Sequence, residues 1–575
     1  VKDSRPHDLS EEQLGFRRRG AVRWLLPTVL ASAGLKAVLA GIFGAYADKR
    51  ELQSGLQAEI YHHGDDELWF DFVADLGDGF DATYSIASVL AAPELSPAEN
   101  LHLPRGQVLV MGGDQAYPAA SATAYEDRTK GPYRAAFPRE DTVLEQEAKD
   151  RPTLFALPGN HDWYDGLTAF LRVFAQSRPV GGWDTEQARS YFAIQLPQRW
   201  WLLAIDTQFD EYIDAPQLAY FRRATTQMRE GDGVILCTPK PAWIKAGSGG
   251  DARGYDAIRF FEREIVRPAG ATVHVMLSGD SHHYARYAEQ DGTGQRITSG
   301  GGGAYLTATH LLPKSLELPP KTSRVTETDE HTTFDRARTY PSREQSSRLA
   351  NGIFRLPWRN PGFWGLTAFL QTVIALLVQF GLASEPHGVF GTLAVWTPAA
   401  FAALGTVVGG VLFARLGLER SSFAAGIAGI LHSAAHLALA GFWAVVLYRL
   451  EAEAAQWITV VVALVGTPVV VGFVDSLVVG LYLLIACRFG FNTNEVFAGQ
   501  SLEDYKGFLR LHIDREGSLT IYPIKVPKVC REWKANPEGA PGTPWLIPSE
   551  GSIGTELIEQ PVEVTRASAA TTARV

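Results

Sequence analysis

The stretch TLFALPGNHDWYDG, residues 153–166, decides how the first half of this chain reads. Five apolar or small residues run straight into Pro158-Gly159 and then into Asn160, His161 and Asp162. A continuous apolar run of this length fits a strand covered on both faces, and the polar turn after it marks the strand's end. The same design recurs in LWFDFVADLGDG (68–79), QVLVMGGDQAYP (107–118), RWWLLAIDTQ (199–208), GVILCTPKPAW (233–243) and VHVMLSGDSHHYAR (273–286). Polar helices alternate with these runs, which predicts an α/β fold. In such folds ligands collect beyond the strand ends, so Asp75, Asp114, Asn160 and His282 are expected to converge.

Those residue types suit one kind of chemistry. Phosphoester hydrolysis needs a nucleophilic water, a charge clamp on the phosphoryl oxygens and a proton for the leaving group. Two metal ions about 3.5–4 Å apart can supply the first two.

The ordered blocks ADLGDG, GGDQAYP, GNHDWYDG and GDSHHYAR resemble the signature of the calcineurin-like metallophosphoesterases, and most of all the purple acid phosphatases. The resemblance covers about residues 68–310 and implies a β-sandwich flanked by helices. It assigns Asp75, Asp114 (bridging), Tyr117 and His282 to a first metal, and Asn160 and Asp280 to a second. His161 would meet phosphate or protonate the leaving group, and Asp114 would lie beside the metal-activated hydroxide. A phenolate ligand favours Fe(III), with Zn and Mn open, so the resemblance implies a divalent or mixed-valence centre of one or two ions. Two departures weaken the second site. Gly77 stands where many members have a second-ligand His, which the purple acid phosphatases also lack there, but Asp280 replaces the first His of a GHxH block. Thr238 or Pro239 stands where a further His is expected.

Other residues are open to two readings. Arg286 can contact phosphate or pair with a carboxylate, and His283 and His310 are weaker substrate-binding candidates. Asp78 can assist a metal or stabilise its turn. The run Ser299–Gly303 can admit close backbone approach or form a plain turn.

The 575 residues are too many for one ordinary core. A net charge of −10 with no basic stripe argues against a nucleic-acid partner. Cys237, Cys487 and Cys530 are too scattered for a disulfide framework, which suits a reducing compartment. Residues 1–55 carry Arg17, Arg18, Arg19 and Arg23 before an apolar stretch, 24–46, that begins too late for a secretory signal. Lys36 inside it would cost about 2.5–3.5 kcal/mol in a span, which favours interfacial or packing helices. The phosphoesterase-like domain is drawn from 56 to 335 with a linker over 336–361, and residues 316–347, rich in Pro, Thr, Arg and Ser, read as linker in character.

Residues 362–488 are nearly free of charge. Phe363–Ala383, Phe390–Phe413 and Ala424–Leu447 each suffice to cross ~30 Å of hydrocarbon. Trp457–Cys487 is one kinked span or two short ones, giving four or five in all. Arg348, Arg355, Arg359, Arg415 and Arg420 place the first domain on the cytoplasmic side of a plasma membrane, as in a bacterium-like cell. His432 and His436 share a helix face, where two His can ligate a metal or haem, while neutral His bonded to a neighbouring helix is the plainer reading; Asp475 has either a pairing role or a position at the membrane edge. Residues 489–575 contain a hairpin around Arg515-Glu-Gly517 and a flexible tail after about 535.

The expected function is a membrane-anchored, metal-dependent hydrolase of a phosphate ester, with the lipid bilayer and a phosphoester as partners. The alternative is a catalytically weak metal- or nucleotide-binding regulatory domain coupled to the spans.

Overall fold

A computed structural model describes residues 9–44, 49–56, 59–139, 151–207, 212–325, 331–415, 423–539 and 542–566. The contacts divide the chain into two units. The first gathers Val1–Val22, Ala33–Arg343 and Glu503–Val575; the second gathers Arg23–Ser32 and Glu344–Leu502.

The first unit is mixed α/β and is built on two large sheets. One holds nine strands in the order Tyr61–His62, Phe192–Gln195, Trp200–Ala204, Gly233–Thr238, Thr272–Ser278, Gln295–Ser299, Tyr284–Glu289, Thr332–Tyr340 and Ser315–Leu318. The other holds eight, with Leu68–Val73, Val108–Met111 and Thr153–Ala156 parallel at its centre. Alternate residues of these apolar strands serve different cores. Phe70, Phe72, Val108 and Val110 face Trp200, Leu202, Ile235 and Val275 between the sheets. Leu109, Met111 and Leu154 pack outward with the helices Phe80–Ala91, Gly131–Ala136 and Thr168–Phe174. On the far side, Leu203, Leu236 and Met276 pack with Ala215–Thr225, Ala242–Gly247 and Arg253–Phe261. Both faces of each strand are therefore covered, which is why the runs are apolar throughout.

Two segments depart from the sequence-based expectation. The stretch expected to be a linker supplies two antiparallel strands, Ser315–Leu318 and Thr332–Tyr340. Arg286 pairs with Arg338 and Tyr287 with Arg336, which leaves Ala337 as an extra residue. Such a bulge flips the faces beyond it, so Phe334 and Tyr340 join different cores despite their even spacing. That shift erased the alternation a strand would have displayed.

The hairpin Lys506–Ile513/Leu519–Val526 forms as expected, but it does not stand apart. Leu509 and Leu511 pair with Phe72 and Phe70, so the hairpin extends the eight-stranded sheet. A bidentate ion pair, Arg510 Nε–Asp71 Oδ1 at 2.8 Å and Nη2–Oδ2 at 3.0 Å, is buried at the junction. Past 535, where composition suggests a flexible tail, Leu546–Pro548, Glu556–Leu557 and Val562–Val564 are strands and Val564 is buried.

The second unit contains four helices long and apolar enough to cross a membrane: Pro361–Ala383, Gly388–Arg415, Phe423–Glu453 and Gln456–Arg488. The fourth is one continuous helix with a widened, π-type turn at Val462–Val471 around Pro468, whose missing N–H cannot serve a regular ladder. The run 24–46 forms the helix Pro27–Gly44, of which Pro27–Ala40 is a shorter apolar stretch and not among the four candidate spans. Residues 45–48 lie outside the described ones.

Candidate functional site

Four strand ends of the first unit meet at one place. Asp75, Asp114 and Asp280 each have φ in the left-handed region, at 60°, 53° and 65°. Side chains other than Gly rarely adopt that conformation, and Asp and Asn tolerate it best. The tight turns are cross-braced: Asp75 N–H donates to the Gly113 carbonyl and Leu76 N–H to that of Asp114, both at 2.9 Å. Asp280 N–H donates to Asp75 Oδ1 at 3.0 Å, and His161 N–H to Asp114 Oδ1 at 2.9 Å.

Tyr117 is the hub. Its hydroxyl oxygen lies 3.3 Å from Asp75 Oδ1, 3.2 Å from Asp114 Oδ2 and 3.0 Å from His282 Nε2. His282 Nδ1 is 2.8 Å from the Tyr305 carbonyl and donates to it, which leaves Nε2 of the neutral ring as an acceptor. One phenol proton thus faces three acceptors. Asp75 Oδ2 and Asn160 Oδ1 are buried with no hydrogen-bond partner among the described residues. Asp75, Asp114, Tyr117 and His282 form the buried floor, while Asn160, His161 and Asp280 are partly exposed at the rim.

Electrostatics follow from this crowding. Burial, then the charges of Asp114 and Asp280, raises the Asp75 carboxyl well above its usual range. Burial and Asp280 push Asp114 up to about 8. Burial lowers His161 to about 4; burial, then Lys506 and His161, lowers His282 to about 3. Every direction disfavours charge on the isolated residues, with burial the largest cause in each and the neighbouring carboxylates adding to it at Asp75 and Asp114.

Among the described residues no group of three or more His, Cys, Asp or Glu is arranged to hold a metal ion. The donors nonetheless fit a cation in kind: two orphaned oxygens, a phenol and an imidazole nitrogen around a floor with too few protons.

The remaining candidates separate. His283 is buried beside the cluster with Nδ1 2.8 Å from Thr307 Oγ1. Arg286 lies in a bidentate pair with Glu559 at 2.6 and 2.9 Å, so of its two readings the carboxylate partner is the one realised. His310 receives Arg343 on its carbonyl oxygen. Asp78 binds the backbone N–H groups of Val22 (2.6 Å) and Tyr305 (3.2 Å), a bracing role. Thr238 turns its hydroxyl back to the Lys240 carbonyl at 3.1 Å. The glycine run makes close approach: a Cβ on Gly300 would collide with Asp75 Oδ2, and one on Gly301 would lie 2.5 Å from Gly507 N.

No family model matches the chain, and no curated protein does.

Two residues of the site take no role from sequence, although Asp162 lies in the GNHDWYDG block. Asp162 accepts from Gly159 N–H at 2.8 Å, from Gln115 N–H at 3.3 Å and from the Tyr125 hydroxyl, locking the two central turns together. Lys506, from the hairpin that follows the second unit in sequence, is fully buried and donates to the Ala304 carbonyl at 2.6 Å. Ala304 N–H in turn donates to the Asp75 carbonyl at 2.8 Å, and the next residue, Tyr305, orients His282. Burial lowers the Lys506 ammonium to about 8.

Proposed function

We propose that the first unit is a metal-dependent phosphoesterase of the calcineurin-like type, anchored in a membrane by the helices of the second unit. One observation carries the reading: Asp75, Asp114, Tyr117 and His282 share a proton-poor floor with Asn160 and His161 at its rim. Asp75, Asp114, Tyr117 and His282 would hold a first cation, and Asn160 and Asp280 a second. A cation there supplies charge neutralisation for the phosphoryl oxygens and acidifies a water.

The chain's own groups do the rest. His161 donates its Nδ1–H to the Pro118 carbonyl at 2.8 Å, which fixes the ring and directs Nε2 to the substrate. Burial lowers the basicity of the ring, and a bound phosphate dianion would favour its protonated form, which can give a proton to the leaving oxygen. Asn160 offers an amide oxygen at the rim. Asp114 holds the His161 backbone in place through its Oδ1. The arginines flanking the spans favour a cytoplasmic location for this unit, with a soluble or lipid-interface phosphoester as substrate.

The test is hydrolysis of an aryl phosphate with Mn, Fe or Zn by the full chain and by its Asn160→Ala and His161→Ala variants. Both variants are expected to lose activity; undiminished turnover in both overturns the reading. A second reading, a metal- or nucleotide-binding regulatory domain, is favoured by Thr238 turning into its own loop and by Asp280 in a histidine's place. One tightly held metal with no turnover under any metal would select it.

A further inference from the structure

The second unit buries a line of polar groups between three of its helices. Gln371 Nε2–H donates to Asp475 Oδ1 at 2.7 Å and to the His436 carbonyl oxygen at 3.1 Å. Asp475 Oδ1 also accepts from His436 Nδ1 at 2.5 Å. The Nε2 atoms of His436 and His432 are 2.8 Å apart, and His432 stacks on Tyr482 with ring centroids 3.9 Å apart and planes 6° from parallel. His432 is only 8% exposed, and its Nδ1 has no hydrogen-bond partner among the described residues.

Proton positions along this line determine one another. A carboxylate only accepts, so the proton at its contact sits on His436 Nδ1, and with a single proton on that ring Nε2 is an acceptor. The contact between the two rings is attractive only if His432 Nε2 carries the proton. A neutral His432 then presents a bare lone pair on Nδ1. Asp475 orients and polarises the whole line, as a carboxylate behind a histidine does elsewhere.

His432 forms part of the wall of a cavity of about 440 Å³, whose other walls include Ile427, Leu431, Val478, Leu481 and Tyr482. Tyr482 donates its hydroxyl to Asn492 Oδ1 at 2.9 Å, so it offers the cavity a ring. Depth also matters. The helix Phe423–Glu453 has 31 residues, ~46 Å against ~30 Å of hydrocarbon, so a centred helix protrudes by roughly 8 Å at each end. His432 lies ~13 Å along it from Phe423, roughly 5 Å below the membrane boundary. That is the depth of an amphiphile's polar end.

We propose that this cavity binds a membrane-soluble alcohol: its single hydroxyl donates to His432 Nδ1, and its apolar body lies between the third and fourth helices. The site is independent of the phosphoesterase reading.

The full chain, reconstituted in phosphatidylcholine vesicles, is photolabelled with a diazirine-bearing hexadecanol and, separately, with its methyl ether. One hydrogen bond predicts about tenfold stronger labelling by the alcohol. Crosslinks are expected within 424–435 and 478–489. His432→Phe keeps the stack on Tyr482 and removes the acceptor; it should abolish the preference and leave labelling by the ether unchanged. Leu481→Trp, which fills the cavity and spares His432, should block both probes. Equal labelling by the two probes, a preference that survives His432→Phe, or undiminished labelling of Leu481→Trp would overturn the proposal. So would a stoichiometric transition metal lost in His432→Phe, since the facing nitrogens would then be ligands.

Discussion

In the first unit Asp75, Asp114, Tyr117 and His282 crowd acceptors around one phenol proton; in the second, Gln371, Asp475, His436 and His432 form a line in which each donor meets an acceptor. The first arrangement crowds carboxylates together and opens at a partly exposed rim. The second holds a single carboxylate and ends in a nitrogen with no hydrogen-bond partner among the described residues, on a side chain that lines an apolar cavity. Solvent explains the contrast. Hydrated cations can reach a strand-end cleft, whereas polar groups within a span must satisfy one another. Packing differs in the same sense. The sheets interlock large side chains such as Trp200, Phe72 and Phe155, all fully buried. The apolar helices instead meet at small residues: a Cβ on Gly429 would lie 2.6 Å from the Gly410 carbonyl oxygen, and one on Gly472 would lie 2.5 Å from Ala368 Cα. Lipid offers no hydrophobic drive between helices, so close backbone approach supplies the contact.

The comparison can be broken at several points. The largest effect is expected at the rim: His161→Ala should reduce aryl phosphate hydrolysis about 10²–10⁴-fold with folding unchanged, as measured by steady-state kinetics beside circular dichroism. A chemically inert His161 would leave the first cluster a merely structural one. Next comes Arg510→Met, which strands Asp71 in the sheet. Unfolding by denaturant should reveal a loss of about 3–5 kcal/mol in the first unit. A smaller loss would mean that the returning hairpin is not integral to that unit.

Lys506→Met should lower activity about 10–100-fold with little change in stability, because it slackens the loop that aims His282. Activity equal to the parent's would remove the hairpin from the site. The smallest effect is expected in the second unit, where Gly429→Leu should destabilise by about 1–3 kcal/mol in a thermal assay of the detergent-solubilised protein. A neutral result would undercut packing by small residues.

Particular residues explain what could be read in advance. Strands such as Gly233–Thr238 were legible because coverage on both faces demands an unbroken apolar run. The site was legible in outline because Asp75, Asp114 and Asn160 directly follow such runs. Thr332–Tyr340 was not, since the bulge at Ala337 broke its alternation. Arg286 remained ambiguous until Glu559, 273 residues away, was placed beside it. The i, i+4 spacing of His432 and His436 put them on one face, but no local rule names Asp475 as the partner.

By itself the sequence determined the elements whose signals are local: apolar strands, polar strand ends, the hairpin turn and the long apolar segments of the second unit, though not whether the last of them is one helix or two. Burial patterns and turn chemistry are written within a few residues, so they survive without coordinates. Only the tertiary structure decided which distant segments complete each other. The hairpin after the helices closes the sheet before them and delivers Lys506 to the loop that orients His282. A paired strand needs only a complementary edge and a covered face, and neither requirement records in sequence which partner will meet it.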